Sequence, residues 1–290
     1  MEQPPGTVAR LLITCPDQPG IISAVSTFLY HHNANITDLD QHSTENRPGT
    51  FFLRLEFQTP GLDCSLEALE SNFRSRVASK YDMDWTLTFA HEKKRMAVLV
   101  SRHDHALMEL LWRVQRGDLS AEIPMVISNH DDLRAEVERF GIEFHHVPVD
   151  AQNKDAAFES MLGLMDGKVD VIVLARYMQI LPPAFVSRHP GRIINIHHSF
   201  LPAFVGANPY QQAWDRGVKL IGATSHYVTD DLDQGPIIEQ NVQRVSHRHS
   251  AQELKALGQD VERSVLLRAV RWHLEDRIII DGNKTVVFVK

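Results

Sequence analysis

Hydrophobic positions recur along this chain with two periods, and each switch between them marks a new element. Val8 to Cys15 reads as a strand, which Asp17-Gln18-Pro19-Gly20 ends. Ile22, Val25, Phe28 and Leu29 then fall at helical spacing within Ile21 to His32, with Asp17 placed to cap that helix or complement its dipole. Asn35 to His42 and Thr50 to Phe57 are two further strands, joined by the turn residues Glu45-Asn46-Arg47-Pro48-Gly49. In the second, Phe52, Arg54 and Glu56 alternate with Phe51, Leu53, Leu55 and Phe57. Leu66 to Ala78 is helical, and Asp84 to Phe89 closes the unit. The order β-α-β-β-α-β is the ferredoxin-like plan, expected over residues 7–89.

Glu92-Lys93-Lys94-Arg95 is a charged joint, so a linker is expected at 90–95 and a second domain at 96–290. That domain opens with the apolar strand Met96 to Ser101 and a helix from His105 to Gln115. Pro124 to Ser128 and Phe144 to Val149 read as strands with a helix from Asp131 to Phe140 between them. Val169 to Leu174 and Ile193 to Ile196 are buried strands. A long helix, Ala251 to His273, carries Leu254, Leu257, Val261, Val265 and Leu266 as core. A hairpin about Asp281-Gly282-Asn283 ends the chain. Alternating strands and helices predict a doubly wound α/β sheet, whose ligands gather at the carboxyl ends of the strands.

At 290 residues, 43% hydrophobic and 23% charged, the chain has the composition of a globular protein of one large or two ordinary domains. A net charge of -7, without a Lys or Arg block, argues against nucleic acid. No apolar run is long enough for a membrane span, and Met1 to Thr7 carries no export signal. Cys15 and Cys64 are too few for a disulfide framework, which predicts a reducing cytosol. The 16 His include the adjacent pairs His31-His32, His145-His146 and His197-His198, whose side chains diverge on a strand, so no metal is expected.

Two runs carry chemistry. In Ile193-Ile194-Asn195-Ile196-His197 the period of two throws Asn195 and His197 onto one side. In the second run, His226-Tyr227-Val228 is a strand, and Thr229 to Pro236 is an acidic loop able to return Asp233 to His197. An amide donor for an oxyanion, an imidazole and a carboxylate together suit attack on a carbonyl carbon. Asp233 could orient His197, raise its pKa or take a proton from water. An Asn and a His at a strand end also serve merely to satisfy backbone groups; the second polar strand end favours chemistry.

Asn195-x-His197, Ser199-x-Leu201-Pro202 and the run Gly222-Ala223-Thr224-x-His226-x-Val228 with Asp233 and Gly235-Pro236 resemble the folate-dependent formyltransferase family. His198, where that family usually has Pro, and the continuation to Phe204 resemble its deformylase branch. The resemblance implies hydrolysis of 10-formyltetrahydrofolate by water to tetrahydrofolate and formate, balancing the one-carbon pools that feed purine synthesis, with no cofactor or metal. It makes Asn195, His197 and Asp233 catalytic: Asn195 and protonated His197 hold the oxyanion while Asp233 activates water. It assigns the folate pocket to Tyr177, Met178, Gln179, Ile180 and Leu181, whose backbone meets the pterin edge, and to His226, Val228 and Asp230. Ser101-Arg102-His103-Asp104-His105 lacks the glycines of a phosphate-binding loop, which disfavours a ribonucleotide acceptor. Phe204 to Tyr210 is expected to be a loop beside the site, with Asn208 where many relatives carry a basic residue. Residues 7–89, with Pro16-Asp17-Gln18-Pro19-Gly20-Ile21, resemble an ACT domain. That implies a homo-oligomer and an amino-acid effector, such as glycine or methionine, with Asp17, Gln18 and Gly20 as contributors. Transfer of formyl to an amine, and a folate or amino-acid sensor without turnover, are the competing readings.

Overall fold

The computed structural model describes residues 7–44, 49–202 and 209–289. Its first sheet comprises β1 (Val8–Pro16), β2 (Asn35–Ser43), β3 (Thr50–Gln58) and β4 (Asp84–Phe89), in the order β2-β3-β1-β4 with every pair antiparallel. Against it lie α1 (Ile21–His31) and α2 (Leu66–Phe73), the latter running through a π turn, Arg74–Ala78, into the short α3 (Ser79–Tyr81). Leu11, Ile13, Leu53 and Leu55 meet Val25, Phe28, Leu29, Leu69 and Phe73 in one core. The ferredoxin-like order is thus as expected.

Three details differ. Ile21 is buried in place of Ile22, which is 41% exposed. Gly20 is the helix N-cap at φ 96°, a conformation glycine adopts without steric cost, and no side chain caps α1. The backbone N–H of Asp17 donates instead to Gly49 O (2.8 Å). The polar face of β3 is also buried. Arg54, 1% exposed, donates to Asp276 O (2.8 Å), Glu275 O (3.0 Å) and Asp38 (3.2 Å), and pairs with Glu56. Those carbonyls come from the end of the chain. The chain divides into Met1–Glu92 with Glu275–Asp281 and Val286–Lys290, and Lys93–Leu274 with Gly282–Thr285. The expected 96–290 domain therefore gives up most of its terminal hairpin, β13 (Ile278–Asp281) with β14 (Lys284–Val287), because a buried guanidinium needs acceptors.

The second unit begins at β5 (Lys94–Val100), inside the expected linker, because Arg95 is held by Asp170 at 2.8 Å. α4 (His105–Gln115), β6 (Ala121–Glu122), β7 (Met125–Ser128), α5 (Arg134–Glu138), β8 (Glu143–His146), α6 (Lys154–Met165), β9 (Val171–Leu174), α7 (Pro183–Val186) and β10 (Ile193–His197) follow. α8 (Pro209–Asp215), β11 (Leu220–Tyr227), β12 (Ile237–Arg244) and α9 (Ala251–Leu274) complete it. The main sheet runs β12-β11-β10-β9-β5-β7-β8. From β10 to β8 it is parallel, and β11 and β12 add an antiparallel edge. The order reverses between β5 and β9, so the carboxyl ends of β5, β9 and β10 open onto a topological switch point. Ile172, Ile193, Leu99 and Ile127 pack in one core with Phe158, Met161 and Phe185. Among the described residues, no helix is long and apolar enough to cross a membrane.

Candidate active site

β10 is covered on both sides, by β9 in parallel and β11 in antiparallel, and its isoleucines are at most 3% exposed. The register sets Asn195 opposite His226. Asn195 Nδ2 lies 3.1 Å from His226 Nε2, and His226 Nδ1 lies 2.8 Å from Tyr227 O. The tautomer that donates from Nδ1 to that carbonyl leaves Nε2 to accept from the amide. One N–H of Asn195 is thereby held, and the other remains for a ligand.

The loop after β11 is closed by Tyr227 N–H donating to Pro236 O at 2.9 Å. Gly235 is required sterically, since a Cβ there would overlap Tyr227 O. Asp233 takes the left-handed conformation (φ 57°), which Asp tolerates better than most residues. The turn brings Asp233 Oδ2 to 3.3 Å from His197 Nδ1 and Oδ1 to 3.7 Å from His226 Nε2. Hydrogen bonding from His197 first, then from His226, holds its carboxyl well below the usual carboxylate range. His197 is buried, and with Nδ1 turned to Asp233 its Nε2 has no hydrogen-bond partner among the described residues.

A cleft of about 280 Å³ opens over these groups, and Asn195, His197 and Asp233 all line it. So do Tyr177, Met178, Gln179, Ile180, Leu181, His226, Val228 and Asp230. Within the 177–181 segment the residues divide. Met178 and Ile180 are 55% and 57% exposed, whereas Tyr177 and Leu181 belong to the core. The expectation that this backbone is free to meet a ligand needs correcting at one position: Met178 N–H donates to Ser101 Oγ (2.9 Å), which donates to Asn129 Oδ1 (2.6 Å). Asp17, Gln18 and Gly20 lie together on the exposed β1–α1 turn. Residues 203–208, including Phe204 and Asn208, fall outside the described residues.

A second group of polar residues gathers beside these, and the sequence does not pair its members. Arg176, at φ 64° just beyond β9, lines the cleft with His198. Its Nε lies 3.5 Å from Glu262 Oε2. Glu262, on α9 and 1% exposed, also receives His105 Nε2 (2.8 Å) and Tyr210 OH (2.5 Å). Burial pushes the Glu262 carboxyl up, but the His105 hydrogen bond and the charge of Arg176 outweigh it, and the pKa lies below its usual value. Burial, reinforced by Arg176, pushes His198 down to about 4, so its imidazole is neutral.

Residues 94–270 match the formyl transferase family model, and residues 9–73 match that of the ACT domain. The chain is 58% identical over 280 residues to formyltetrahydrofolate deformylase of Bacillus subtilis, covering 96% of this chain and 93% of that protein. The chain belongs to the formyl transferase family. Within it the likeness to deformylases runs the full length: the crystal structure of a formyltetrahydrofolate deformylase from Pseudomonas syringae pv. tomato superposes with a TM-score of 0.94 at 49% identity. The match covers 98% of this chain and 95% of that one. Glycinamide ribonucleotide transformylase 1 from Symbiobacterium toebii is similar over 69% of this chain and 95% of its own, at a TM-score of 0.63 and 30% identity. Both units of this chain, ACT and formyl transferase, are thus shared with the deformylases.

Proposed function

We propose that this protein hydrolyses 10-formyltetrahydrofolate to tetrahydrofolate and formate, with Asn195, His197 and Asp233 as the catalytic residues. The observation that carries the reading is the meeting of these three side chains at one cleft, in a chain similar over its whole length to deformylases. The pterin lies along Met178, Ile180 and Val228, and the formyl group reaches Asn195 and His197. His197 takes a proton from water at Nε2 as the water oxygen bonds to the formyl carbon. The free N–H of Asn195 donates to the oxyanion that forms. The imidazolium, held at Nδ1 by Asp233, then returns the proton to the folate nitrogen as the C–N bond breaks. Formic acid leaves and gives its own proton to solvent.

This differs from the roles expected from sequence, where Asp233 activated water. Both its oxygens face imidazoles and its pKa is depressed, which suits a group that orients His197 and stabilises its positive charge. A base, an oxyanion donor and an orienting anion suffice for the reaction, so it needs no metal and no cofactor. The ACT domain supports regulation by an amino acid bound near Asp17, Gln18 and Gly20, with glycine and methionine as first candidates, and a homo-oligomeric assembly. Turnover that no amino acid alters would count against that regulation. The free thiols Cys15 and Cys64 support a reducing cytosolic setting. The hydrolysis itself is tested by formate release from 10-formyltetrahydrofolate with no amine present, which is expected from the wild type and expected to vanish in His197→Ala.

A further inference from the structure

Hydrolysis and formyl transfer share the same first event, attack on the formyl carbon, and differ in what is admitted as nucleophile. Nothing in the Asn195, His197 and Asp233 chemistry discriminates between water and an amine. The side of the cleft beyond His197 is formed by Arg176 and by His198, which lies past the end of β10, so that its ring stacks at 5.2 Å on that of His197 instead of diverging from it as expected. Arg176 is 9% exposed, and its Nε and Nη1 are buried without a hydrogen-bond acceptor among the described residues. It is held there by Glu262, which is itself fixed by His105 and Tyr210. Tyr210 reaches that carboxylate across Gly258, where any Cβ would strike its ring. Buried ion pairs contribute little net stability, so a pair so firmly supported beside the reacting groups calls for a role in the chemistry.

We propose that Arg176, clamped by Glu262, is a specificity-determining residue that closes the acceptor side of the cleft to amines and leaves water as the nucleophile. An amine reaches the cleft mainly as its ammonium ion, which the guanidinium repels, and it must lose a proton there before its nitrogen can attack. Water is uncharged and meets no such repulsion. His198, kept neutral beside Arg176, adds no charge of its own to that wall. The consequence of removing the guanidinium is transfer: the ammonium ion gives one proton to solvent, the amine nitrogen bonds to the formyl carbon, the bond to the folate nitrogen breaks, and the second proton shed by the amine ends on that nitrogen. This inference rests on the proposed hydrolysis and concerns only the choice of nucleophile.

The test is a partition ratio. Arg176→Gly is compatible with the backbone, since a φ of 64° is one that glycine adopts freely. The double variant R176G/E262Q avoids leaving a buried carboxylate without its cation. Each protein is given 10-formyltetrahydrofolate with glycinamide, and formylglycinamide and formate are both measured. Their ratio does not depend on the fraction of enzyme that is folded. The wild type should give formate with formylglycinamide at the uncatalysed background. Both variants should raise the ratio about tenfold or more, as expected when a like-charge repulsion is removed. Variants that still release formate but keep the wild-type ratio would overturn the proposal while leaving hydrolysis intact, and so would a wild type that already formylates glycinamide. A wild type that releases no formate at all would overturn the hydrolysis reading instead.

Discussion

Replacing Asp233 by Asn removes one charge from the site and almost nothing from its shape. In the wild type, Oδ2 stands 3.3 Å from His197 Nδ1, with the two side chains 19% and 9% exposed. When His197 takes the proton from water, a carboxylate at that distance stabilises the imidazolium by about 5 kcal/mol, using an effective dielectric of about 20. Asparagine can still offer an oxygen to Nδ1–H, which recovers about 1 kcal/mol. About 4 kcal/mol remains, or about 10³-fold in turnover. The assay is kcat for formate release at saturating substrate, with circular dichroism to establish that the variant is folded. Turnover within about threefold of wild type would refute the role assigned to Asp233. The same substitution has a pH signature. A carboxyl whose folded pKa is depressed contributes stability that is fully present above its unfolded pKa and is lost as pH falls through the folded one. The stability gap between wild type and D233N should therefore be complete at neutral pH and narrow below about pH 4.

Asn195→Ala should lower kcat by about 10²–10³ with folding retained, since it deletes one oxyanion donor; a rate near wild type would remove Asn195 from the site. Gly235→Ala should displace the Asp233 loop, because the new methyl overlaps Tyr227 O. A loss of about 1–3 kcal/mol in denaturant unfolding, together with reduced turnover, is expected. Arg54→Ala strips the buried face of β3 of its cation and should lower unfolding stability by about 3–5 kcal/mol. A change within 0.5 kcal/mol, the usual effect of a surface substitution, would mean that this cluster is not holding the first unit together.

What could be read in the sequence was whatever local periodicity encodes. The isoleucines around Asn195 and His197 announce a buried strand, and the period of two puts amide and imidazole on one side. Gly235-Pro236 announces the turn that returns Asp233. β12 carries no such signal, since Ile237–Arg244 is a largely polar edge strand and lacks the apolar run of its neighbours. α6 does carry a local signal, since Phe158, Met161, Leu162 and Met165 sit at helical spacing. Arg176 and Glu262 were out of reach for a different reason. They lie on separate elements far apart in sequence, and neither sits in a periodic pattern that foretells a buried charge pair. Arg54 is similar: it alternates like a solvent-facing residue, and its main-chain acceptors lie 221 and 222 residues further along the chain. Charges buried by long-range contacts leave no local signature.

The central claim is that water is the acceptor of the formyl group, and oxygen labelling tests it most directly. With 10-formyltetrahydrofolate in ¹⁸O-water and no amine present, the purified protein should release formate carrying one solvent oxygen, at a rate that Asn195→Ala lowers by about 10²–10³. Turnover of the formyl group only when an amine is supplied, with the unlabelled N-formyl amine as product, would contradict the account.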